Sequence, residues 1–530
     1  MHPPTSMRPA AVEARPISGL AALLGVPSAV HPPHPRGTRG VITGISIDSR
    51  RVQRGDLYVA LPGSTAHGAD FAAEASAAGA VAILTDAAGR ERAVATGLPV
   101  LVVPDPRAVL GRVAAWVYGN PTADLTIIGV TGTSGKSTTT FLTEAGLRAA
   151  GHRTGLIGGV EIRVGDLRFP ARLTTPEASE LQALFALMRE QGVTAAAMEV
   201  SSHALALGRV AEIIYDVAIF TNLSQDHLDF HRDLDDYFAA KARLFTPDHS
   251  RLGVVNIDDR YGRELAERAK IPITTFSPSG DADADWRVAD VRLGADGSVF
   301  RVVGPGGVET DVSVALPGAF NVANALAALV ALVEAGVPVP AAVAGIGMTT
   351  CVPGRMERVP GPGDIQVFVD YAHKPAAVES VLRSLRAVMG SGRRLVIVVG
   401  CGGDRDRGKR PLMGEAAARL ADVAIFTNDN PRSEDPLAIL AAMLSGALRV
   451  PAAERAHVIV EPDRAAAIDL AISTARSGDV VLVAGKGHEQ GQYVGGRVIP
   501  FDDREVAAQA IARRARAHAA GLVGERAGGG

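Results

Sequence analysis

The chain has 530 residues, more than one hydrophobic core usually supports, so we expect two to four domains. A net charge of −3, with no sustained run of Lys and Arg, argues against nucleic acid as the main partner. The sequence has no apolar stretch long enough to span a membrane, no signal-peptide core and only two cysteines, so we expect a cytoplasmic protein without membrane insertion or a disulfide framework.

The N-terminal part of the chain predicts a small α/β domain that follows a disordered tail. Residues 1–16 are rich in proline, which is typical of disorder. The domain is predicted over residues 17–122. Apolar periodicity predicts helices at 17–24 and 69–78 and strands at 41–50, 56–61, 81–84 and 98–103.

A second domain, predicted over residues 123–352, begins with a phosphate-binding loop. An apolar strand leads into Gly129-Val130-Thr131-Gly132-Thr133-Ser134-Gly135-Lys136-Ser137, and a helical run follows. Glycines let backbone N–H groups approach a phosphate, and the helix dipole favours its negative charge. Lys136 is therefore expected to reach the β- and γ-phosphates of a nucleotide, and the Ser137 hydroxyl to contact Mg²⁺.

The rest of this domain alternates strands and helices, the pattern of a doubly wound sheet, with a small hairpin insertion predicted over 286–314. Glu199 follows one strand; taken alone it would suit an ion pair or a helix cap equally well, but beside the phosphate-binding loop Mg²⁺ is favoured. His227 lies after the next strand. Three interpretations stay open for it: a metal ligand, a partner of a carboxylate or a solvent-exposed loop residue. Lys241 lies on a predicted helix, where the residue pattern indicates a solvated surface charge.

A third, Rossmann-like domain is predicted over residues 353–520, with a tail at 521–530. Its strands are predicted at 365–370, 395–400, 423–427, 457–460 and 480–484. Three of these strands lead into polar clusters, at 402–410, 428–432 and 485–489. Arginine binds carboxylates through a planar fork, so the clusters suit a zwitterionic amino acid, whereas solvated loops would explain any one of them alone.

Taken in order, these motifs resemble the Mur ligases of peptidoglycan synthesis, in the form that adds meso-2,6-diaminopimelate to UDP-N-acetylmuramoyl-L-alanyl-D-glutamate. The resemblance implies a UDP-binding N-terminal domain, a central P-loop ATPase-like domain and a C-terminal amino-acid-binding domain. It also implies amide formation through an acyl phosphate, with ATP as co-substrate and Mg²⁺ as cofactor, by a protein that we expect to be a monomer. The motifs that carry it are Asp48-Ser49-Arg50, Thr131 to Ser137, Met198 to His203, Asp226 to Asp229, Gly354 to Glu357, Asp370 to His373, Gly402 to Pro411, Asp429 to Arg432 and Gly485 to Glu489.

The resemblance implies binding roles at the matching positions. For ATP, these are Gly132, Thr133, Ser134, Gly135, Lys136, Ser137, Thr138, Asn321, Arg355 and Asp370. For the UDP-linked substrate, they are Ile47, Ser49, Ser64, Thr65, Ala66, Thr174, Thr175, Ser201 and Arg209. For diaminopimelate, they are Arg405, Asp429, Asn430, Pro431, Arg432, Gly485 and Glu489.

The same resemblance implies that Lys136, Glu199, His227 and Lys241 are catalytic. Glu199, His227 and Lys241 would hold Mg²⁺ together with Ser137, and Lys241 would do so as a carbamate, which replaces its interpretation as a surface charge. Arg432 would clamp the distal carboxylate of diaminopimelate. Lysine lacks that carboxylate, so discrimination against lysine should be strong.

Four alternatives stay open at this point. A lysine-adding ligase is disfavoured by Asp429-Asn430-Pro431-Arg432, and a folylpolyglutamate-synthetase-like enzyme by the N-terminal UDP-type domain. A P-loop switch that acts through partner binding leaves the third domain's polar clusters without a role. An amidated or otherwise modified diaminopimelate is also compatible with the motifs.

Overall fold

The computed structural model describes residues 7–27 and 40–527, with side chains described as far as residue 517. The described residues form an α/β fold with three mainly parallel sheets, one within each predicted domain. This confirms the fold class, while the domain boundaries themselves stay predictions. In the part of the chain that is described, no helix combines the length and the apolar composition needed to cross a bilayer.

The first sheet is parallel, in the order β3-β4-β5-β6, and apolar side chains pack on both of its faces. The first helix has the bounds predicted for it and ends at Gly25, whose φ of 65° suits glycine. The strands are β1 Arg15–Pro16, β2 Val41–Ile42, β3 Gly44–Ser46, β4 Asp56–Val59, β5 Ala82–Thr85 and β6 Val100–Val102. The helices are α1 Ile17–Leu24, α2 Ala72–Ala78, α3 Arg90–Val94 and α4 Pro106–Val117.

Residues 7–16 differ from the disordered tail predicted for 1–16. β1 pairs antiparallel with β2, and the Arg8 guanidinium donates to both carboxylate oxygens of buried Asp56, at 2.7 and 2.8 Å. The backbone N–H of Ala10 donates to Glu190, which belongs to the second domain. Specific hydrogen bonds within the chain therefore hold this proline-rich segment, and its composition does not predict them. Residues 1–6 lie outside the described part of the chain.

The second domain contains the longest sheet. Its strands are β7 Thr126–Thr131, β8 Thr154–Ile157, β9 Glu161–Val164, β10 Leu167–Pro170, β11 Ala195–Glu199, β12 Tyr215–Phe220, β13 Ser250–Asn256, β14 Ile273–Ser277, β15 Trp286–Gly294, β16 Gly297–Gly304 and β17 Val308–Val314. Its helices are α5 Lys136–Ala149, α6 Ala178–Glu190, α7 Ser202–Ala206, α8 Leu234–Ala242, α9 Arg260–Arg268, α10 Ala319–Glu334 and α11 Val339–Gly347. The strand order is β10-β9-β8-β11-β7-β12-β13-β14-β15-β16-β17.

The register of this sheet positions the candidate site. β7 lies between β11 and β12, with Glu199 opposite Val130 and Phe220 opposite Thr131. The carboxyl ends of all three parallel strands therefore meet at one edge, beside the glycine-rich turn. Residues 286–314, predicted as a small hairpin insertion, instead form β15 to β17, which continue the same sheet.

The third sheet has the order β18-β19-β23-β20-β21-β22, parallel from β19 to β22, and β24 and β25 form a separate hairpin. The strands are β18 Glu357–Arg358, β19 Gln366–Asp370, β20 Leu395–Val399, β21 Val423–Phe426, β22 His457–Val460, β23 Val480–Ala484, β24 Gly491–Val494 and β25 Arg497–Pro500. The helices are α12 Pro375–Val388, α13 Lys409–Leu420, α14 Pro436–Ala447, α15 Arg464–Ser473 and α16 Asp503–Ala527. The last helix thus runs into the predicted tail at 521–530, of which 528–530 lie outside the described residues.

Candidate active site

The glycine-rich turn of the second domain is packed tightly against neighbouring polar side chains. Gly132 and Gly135 have φ of 145° and 89°, and a Cβ would collide with the Thr221 hydroxyl at Gly132 and with the Asn324 side chain at Gly135. Asn222 exchanges hydrogen bonds with the backbone of Ser134, at 3.0 and 3.1 Å. Only glycine permits this backbone path, which ends at the N-terminus of α5.

Three lysine side chains converge on two carbonyl groups of this turn. Lys136 Nζ donates to the carbonyls of Gly132 and Thr133, at 2.9 and 3.2 Å. Lys241 Nζ donates to Gly132, and Lys374 Nζ to Thr133, each at 2.9 Å. Lys241 is 1% exposed, so its interpretation as a solvated surface charge is wrong. The spacing of apolar and polar residues in the sequence did not identify Lys241 or Lys374 as a member of this cluster.

The pKa values of these lysines are lowered because the charged form is buried among other cations. Burial and the nearby Lys374 lower the pKa of Lys136 to about 8. Burial, together with Lys136 and Lys374, holds the pKa of Lys241 well below its ordinary value. The lowered pKa favours the neutral amine of Lys241 over its ammonium form.

Asp226 and His227 lie at the same edge. Asp226 Oδ2 is 2.7 Å from Lys374 Nζ and 3.0 Å from His227 Nε2. Burial raises the pKa of Asp226, but Lys374 and the two neighbouring histidines outweigh it and hold that pKa well below its usual range. Burial lowers the pKa of His227 to about 3, so its imidazole is neutral and able to ligate a cation.

Glu199 is the last residue of β11, at the same edge of the sheet. Its Oε1 accepts a 2.9 Å hydrogen bond from the backbone N–H of Gly159, and the residue is buried. Behind it, the Thr175 hydroxyl donates to the Glu199 carbonyl at 2.9 Å and accepts from the Ser201 N–H at 3.0 Å. Arg209 donates to the Thr175 carbonyl at 3.3 Å. Three residues predicted to bind the UDP-linked substrate thus form one network beside Glu199.

The third domain closes over the turn through side chains that cross between domains. Arg355 donates to the Ser137 hydroxyl at 3.0 Å and lies 4.4 Å over the Tyr371 ring. His488 Nε2 shares a 2.9 Å hydrogen bond with the Gly159 carbonyl. His488, like Lys374, was absent from the residues predicted for the site. Each of the two residues follows the end of a strand of the third sheet. That position in the sequence is the signal by which they could have been predicted.

The side chains of Asp370 and Asn321 form hydrogen bonds with other groups of the protein. The carboxylate of Asp370 accepts hydrogen bonds from the backbone N–H groups of Met356 and Ala372, each at 2.7 Å, and burial raises its pKa. Asn321 donates to the Pro317 carbonyl at 2.8 Å and accepts from Asn324 at 3.0 Å. Asp370 lines the cavity between the domains, whereas Asn324 rather than Asn321 does so on α10.

A cavity of about 1040 Å³ lies between the second and third domains. Its size suits a nucleotide together with a second substrate. The predicted site residues on its wall are Thr133, Ser134, Gly135, Lys136, Ser137, Thr138, Thr174, Glu199, His227, Arg355, Asp370 and Glu489. The walls of this cavity do not include Gly132, Lys241, Asn321, Thr175, Ser201, Arg209, Arg405, Asp429, Asn430, Pro431, Arg432, Gly485 or the predicted residues of the first domain.

The polar clusters of the third sheet come together at one rim. Lys486, fully buried, donates to Asn430 Oδ1 at 2.9 Å and to Glu489 Oε2 at 3.1 Å, and Asn430 Nδ2 donates to the same Glu489 oxygen at 2.9 Å. Arg432, at a φ of 53°, donates from its side chain to the Gly403 carbonyl at 2.7 Å. Arg405 is exposed and donates to the Asp404 carbonyl.

The predicted UDP contacts of the first domain lie apart from this cavity. Ser49 donates to Glu74 at 2.9 Å, and Ile47 is half-buried nearby. Ser64, Thr65 and Ala66 are exposed in a turn that the Gly63 N–H closes on the Ala66 carbonyl at 3.1 Å. An exposed turn beside the first sheet leaves these groups accessible to a ligand.

Comparison with known proteins gives matches along almost the whole chain. Residues 41–118 match the model described as Mur ligase family, catalytic domain, 130–332 the Mur ligase middle domain and 354–487 the Mur ligase, glutamate ligase domain. The UDP-N-acetylmuramoyl-L-alanyl-D-glutamate–2,6-diaminopimelate ligase of Streptomyces avermitilis is 57% identical, covering 96% of this chain and 98% of its own. The enzyme of that name from Corynebacterium glutamicum is 48% identical, covering 91% and 94%. A solved structure with the same name is 34% identical, with a TM-score of 0.63, over 92% of this chain and 99% of its own.

Proposed function

The chain belongs to the Mur ligase family, and we propose that it is an ATP-dependent ligase that joins meso-2,6-diaminopimelate to UDP-N-acetylmuramoyl-L-alanyl-D-glutamate in peptidoglycan precursor synthesis. One observation carries the proposal: a single cavity has the phosphate-binding turn on one wall and Glu489 of the third-domain cluster on another. The activity named for relatives that match along nearly their full length supports the same reaction.

The proposed reaction has two steps. The D-glutamyl γ-carboxylate attacks the γ-phosphorus of ATP, which releases ADP and forms an acyl phosphate. The amine of diaminopimelate then attacks the acyl carbon, loses a proton, and the tetrahedral intermediate expels inorganic phosphate to leave the amide. The protein contributes mainly position and charge, because phosphoryl transfer needs little covalent help.

The chain's own residues divide between these steps. The backbone N–H groups from Gly132 to Thr138 would cradle the phosphates, with Lys136 neutralising the transferred group. Arg355, Asp370 and Asn321 would contact adenine or ribose. Thr174, Thr175, Ser201 and Arg209 would hold the muramoyl-dipeptide, and the first-domain residues its UDP end. The two substrates contact different domains, so domain closure would assemble the site.

The residues at the turn fit Mg²⁺. The ion prefers oxygen ligands and usually combines one or two carboxylates with substrate phosphates and water. Glu199 and the Ser137 hydroxyl supply oxygen donors and the neutral imidazole of His227 supplies a nitrogen donor, and no cluster of three His, Cys, Asp or Glu completes a cage among residues 7–27 and 40–527. When bound, the ion would neutralise phosphate charge. Lys241 fits only after carbamylation, which converts an amine into a carboxylate-like ligand.

Carbamylation of Lys241 gives a testable prediction. Its lowered pKa makes the neutral amine available to add CO₂, with release of one proton. Lys241→Ala is expected to lower kcat by about 10²-fold, through loss of a group that organises transition-state charge. Formate or acetate should restore part of the activity, whereas chloride should not. Lys270→Ala, which removes an exposed lysine of the same domain, is the control; equal activity of Lys241→Ala and Lys270→Ala would contradict the assignment.

Acceptor selectivity tests the proposed function as a whole. Phosphate release from ATP should require both the UDP-muramoyl-dipeptide and meso-diaminopimelate, and L-lysine should not substitute. Arg432→Ala is expected to lower kcat/KM for diaminopimelate by about 10- to 100-fold, because it removes charge-assisted hydrogen bonds to the distal carboxylate. Arg432→Lys keeps the charge but loses the planar fork, so its kcat/KM for diaminopimelate should lie between those of the wild type and Arg432→Ala. Release that is indifferent to the acceptor would reject the ligase.

We also propose that the protein acts on these small molecules as a monomer in the cytoplasm. The substrates are a nucleotide, a nucleotide-linked peptide and an amino acid, so neither nucleic acid nor a membrane has a role in the reaction. Light scattering of the purified protein at working concentration would test the monomer.

A further inference from the structure

We propose that Lys374 is a second phosphoryl-stabilising cation, which the third domain delivers to the phosphate-binding turn of the second domain. The inference rests on the proposed function, because it assigns a role in the first step of that reaction. Its starting point is a contact between domains: Lys374 Nζ lies 2.9 Å from the Thr133 carbonyl and 2.7 Å from Asp226 Oδ2.

The position of Lys374 in the chain aims it at the turn. It follows β19 and occupies the N-cap position of α12, whose first residue is Pro375. Lys374 and the first turns of α12, through Ala376, Ala377 and Ser380, line the cavity. The positive end of the α12 dipole therefore faces the same space as the ammonium group. The backbone thus fixes where the charge enters the cavity.

The ammonium group lies next to the P-loop lysine. Lys136 and Lys374 donate to the same Thr133 carbonyl, at 3.2 and 2.9 Å. Two buried cations that share one neutral acceptor are an unfavourable arrangement unless an anion joins them. Asp226 supplies one negative charge to Lys374. A triphosphate in the cavity would supply more, at the place where charge develops during transfer.

A purely structural role for Lys374 is the competing explanation. The ion pair with Asp226 joins two domains and is buried on both sides, 9% and 7% exposed, so it could serve only as a latch. The two roles differ in what they stabilise. A latch favours the closed arrangement whatever nucleotide is present, whereas a phosphoryl-stabilising cation favours the transition state over bound ATP.

The experiment compares two ligands on the full chain with the UDP-muramoyl-dipeptide present. ADP with aluminium fluoride mimics the transferring phosphoryl group, and a non-hydrolysable ATP analogue mimics the ground state. Lys374→Gln keeps hydrogen-bond donors for Thr133 and Asp226 but removes the charge. It is expected to weaken the ADP–aluminium fluoride complex about 10²-fold and to change the affinity for the ATP analogue less than about threefold. Single-turnover ADP formation should slow by the same 10²-fold.

Two further variants make the result decisive. Lys374→Arg keeps a cation and should retain most of the discrimination between the two ligands. Lys270→Met removes an exposed lysine of the second domain and should match the wild type. Equal weakening of both complexes by Lys374→Gln, or no weakening of either, would overturn the inference. Failure of the wild type to consume diaminopimelate would instead overturn the proposed function.

Discussion

Lys136→Met is expected to lower the rate constant for acyl-phosphate formation by about 10³-fold, the largest of the catalytic losses predicted for the three lysines that contact the turn. Lys136 is the cation that belongs to the turn itself, and its ammonium already lies against the Gly132 and Thr133 carbonyls. Methionine fills similar volume without charge, so the fold should persist. Rapid-quench measurement of ADP formation checks the rate, and unchanged thermal unfolding checks the fold.

The same lysine gives a pH dependence whose sign follows from its pKa. The pKa of Lys136 in the free enzyme is lowered to about 8, so the ammonium is charged below that pH and neutral above it. Because kcat/KM reports the free enzyme, kcat/KM for ATP should fall as the pH rises through about 8. The fall should disappear in Lys136→Met. A wild-type profile that stays flat between about pH 7 and pH 9 would contradict this assignment.

Asp503→Asn is expected to destabilise the third domain by about 3–5 kcal/mol. Arg464 and Asp503 join α15 to α16 through two 2.7 Å hydrogen bonds, with both side chains fully buried. Without the carboxylate, the guanidinium remains buried and unpaired. Urea unfolding of the full chain, followed at its earliest transition, measures the effect. Asp469→Asn, which breaks the exposed pair with Arg513, should shift that transition by less than about 1 kcal/mol.

This ion pair also supports the candidate site. Arg464 donates to the carbonyls of Asn428 and Ala484, at 3.3 and 3.0 Å, just before the two loops that carry Asn430 and Glu489. Asp503→Asn should therefore raise KM for diaminopimelate more than KM for ATP. Arg464→Met combined with Asp503→Leu, which removes both charges, should recover much of the stability. Equal stability of the single and double variants would show that the unpaired cation is not the cause.

Local sequence signals were sufficient for much of the fold. The helix at Ile17–Leu24 and the strands at His457–Val460 and Val480–Ala484 have the predicted bounds, because each is a short periodic segment with clear ends. Residues 286–314 were predicted as strands but not as the continuation of the second sheet. The strand that a segment pairs with depends on which edge of the sheet is free. The residues of 286–314 carry no pattern that indicates this edge.

The sequence by itself determined the glycine-rich turn before α5, the α/β fold class and the polar clusters at strand ends, because each is a contiguous pattern whose physics is local. Lys241 needed a family resemblance, since a lysine on a helix has no distinguishing spacing. Only the tertiary structure decided that Arg8 reaches Asp56, that Lys486 is buried against Asn430 and Glu489, and that Lys374 reaches Thr133 and Asp226. Apart from Lys486–Glu489, these contacts join residues far apart in the chain, and those of Lys374 form only when the second and third domains pack together.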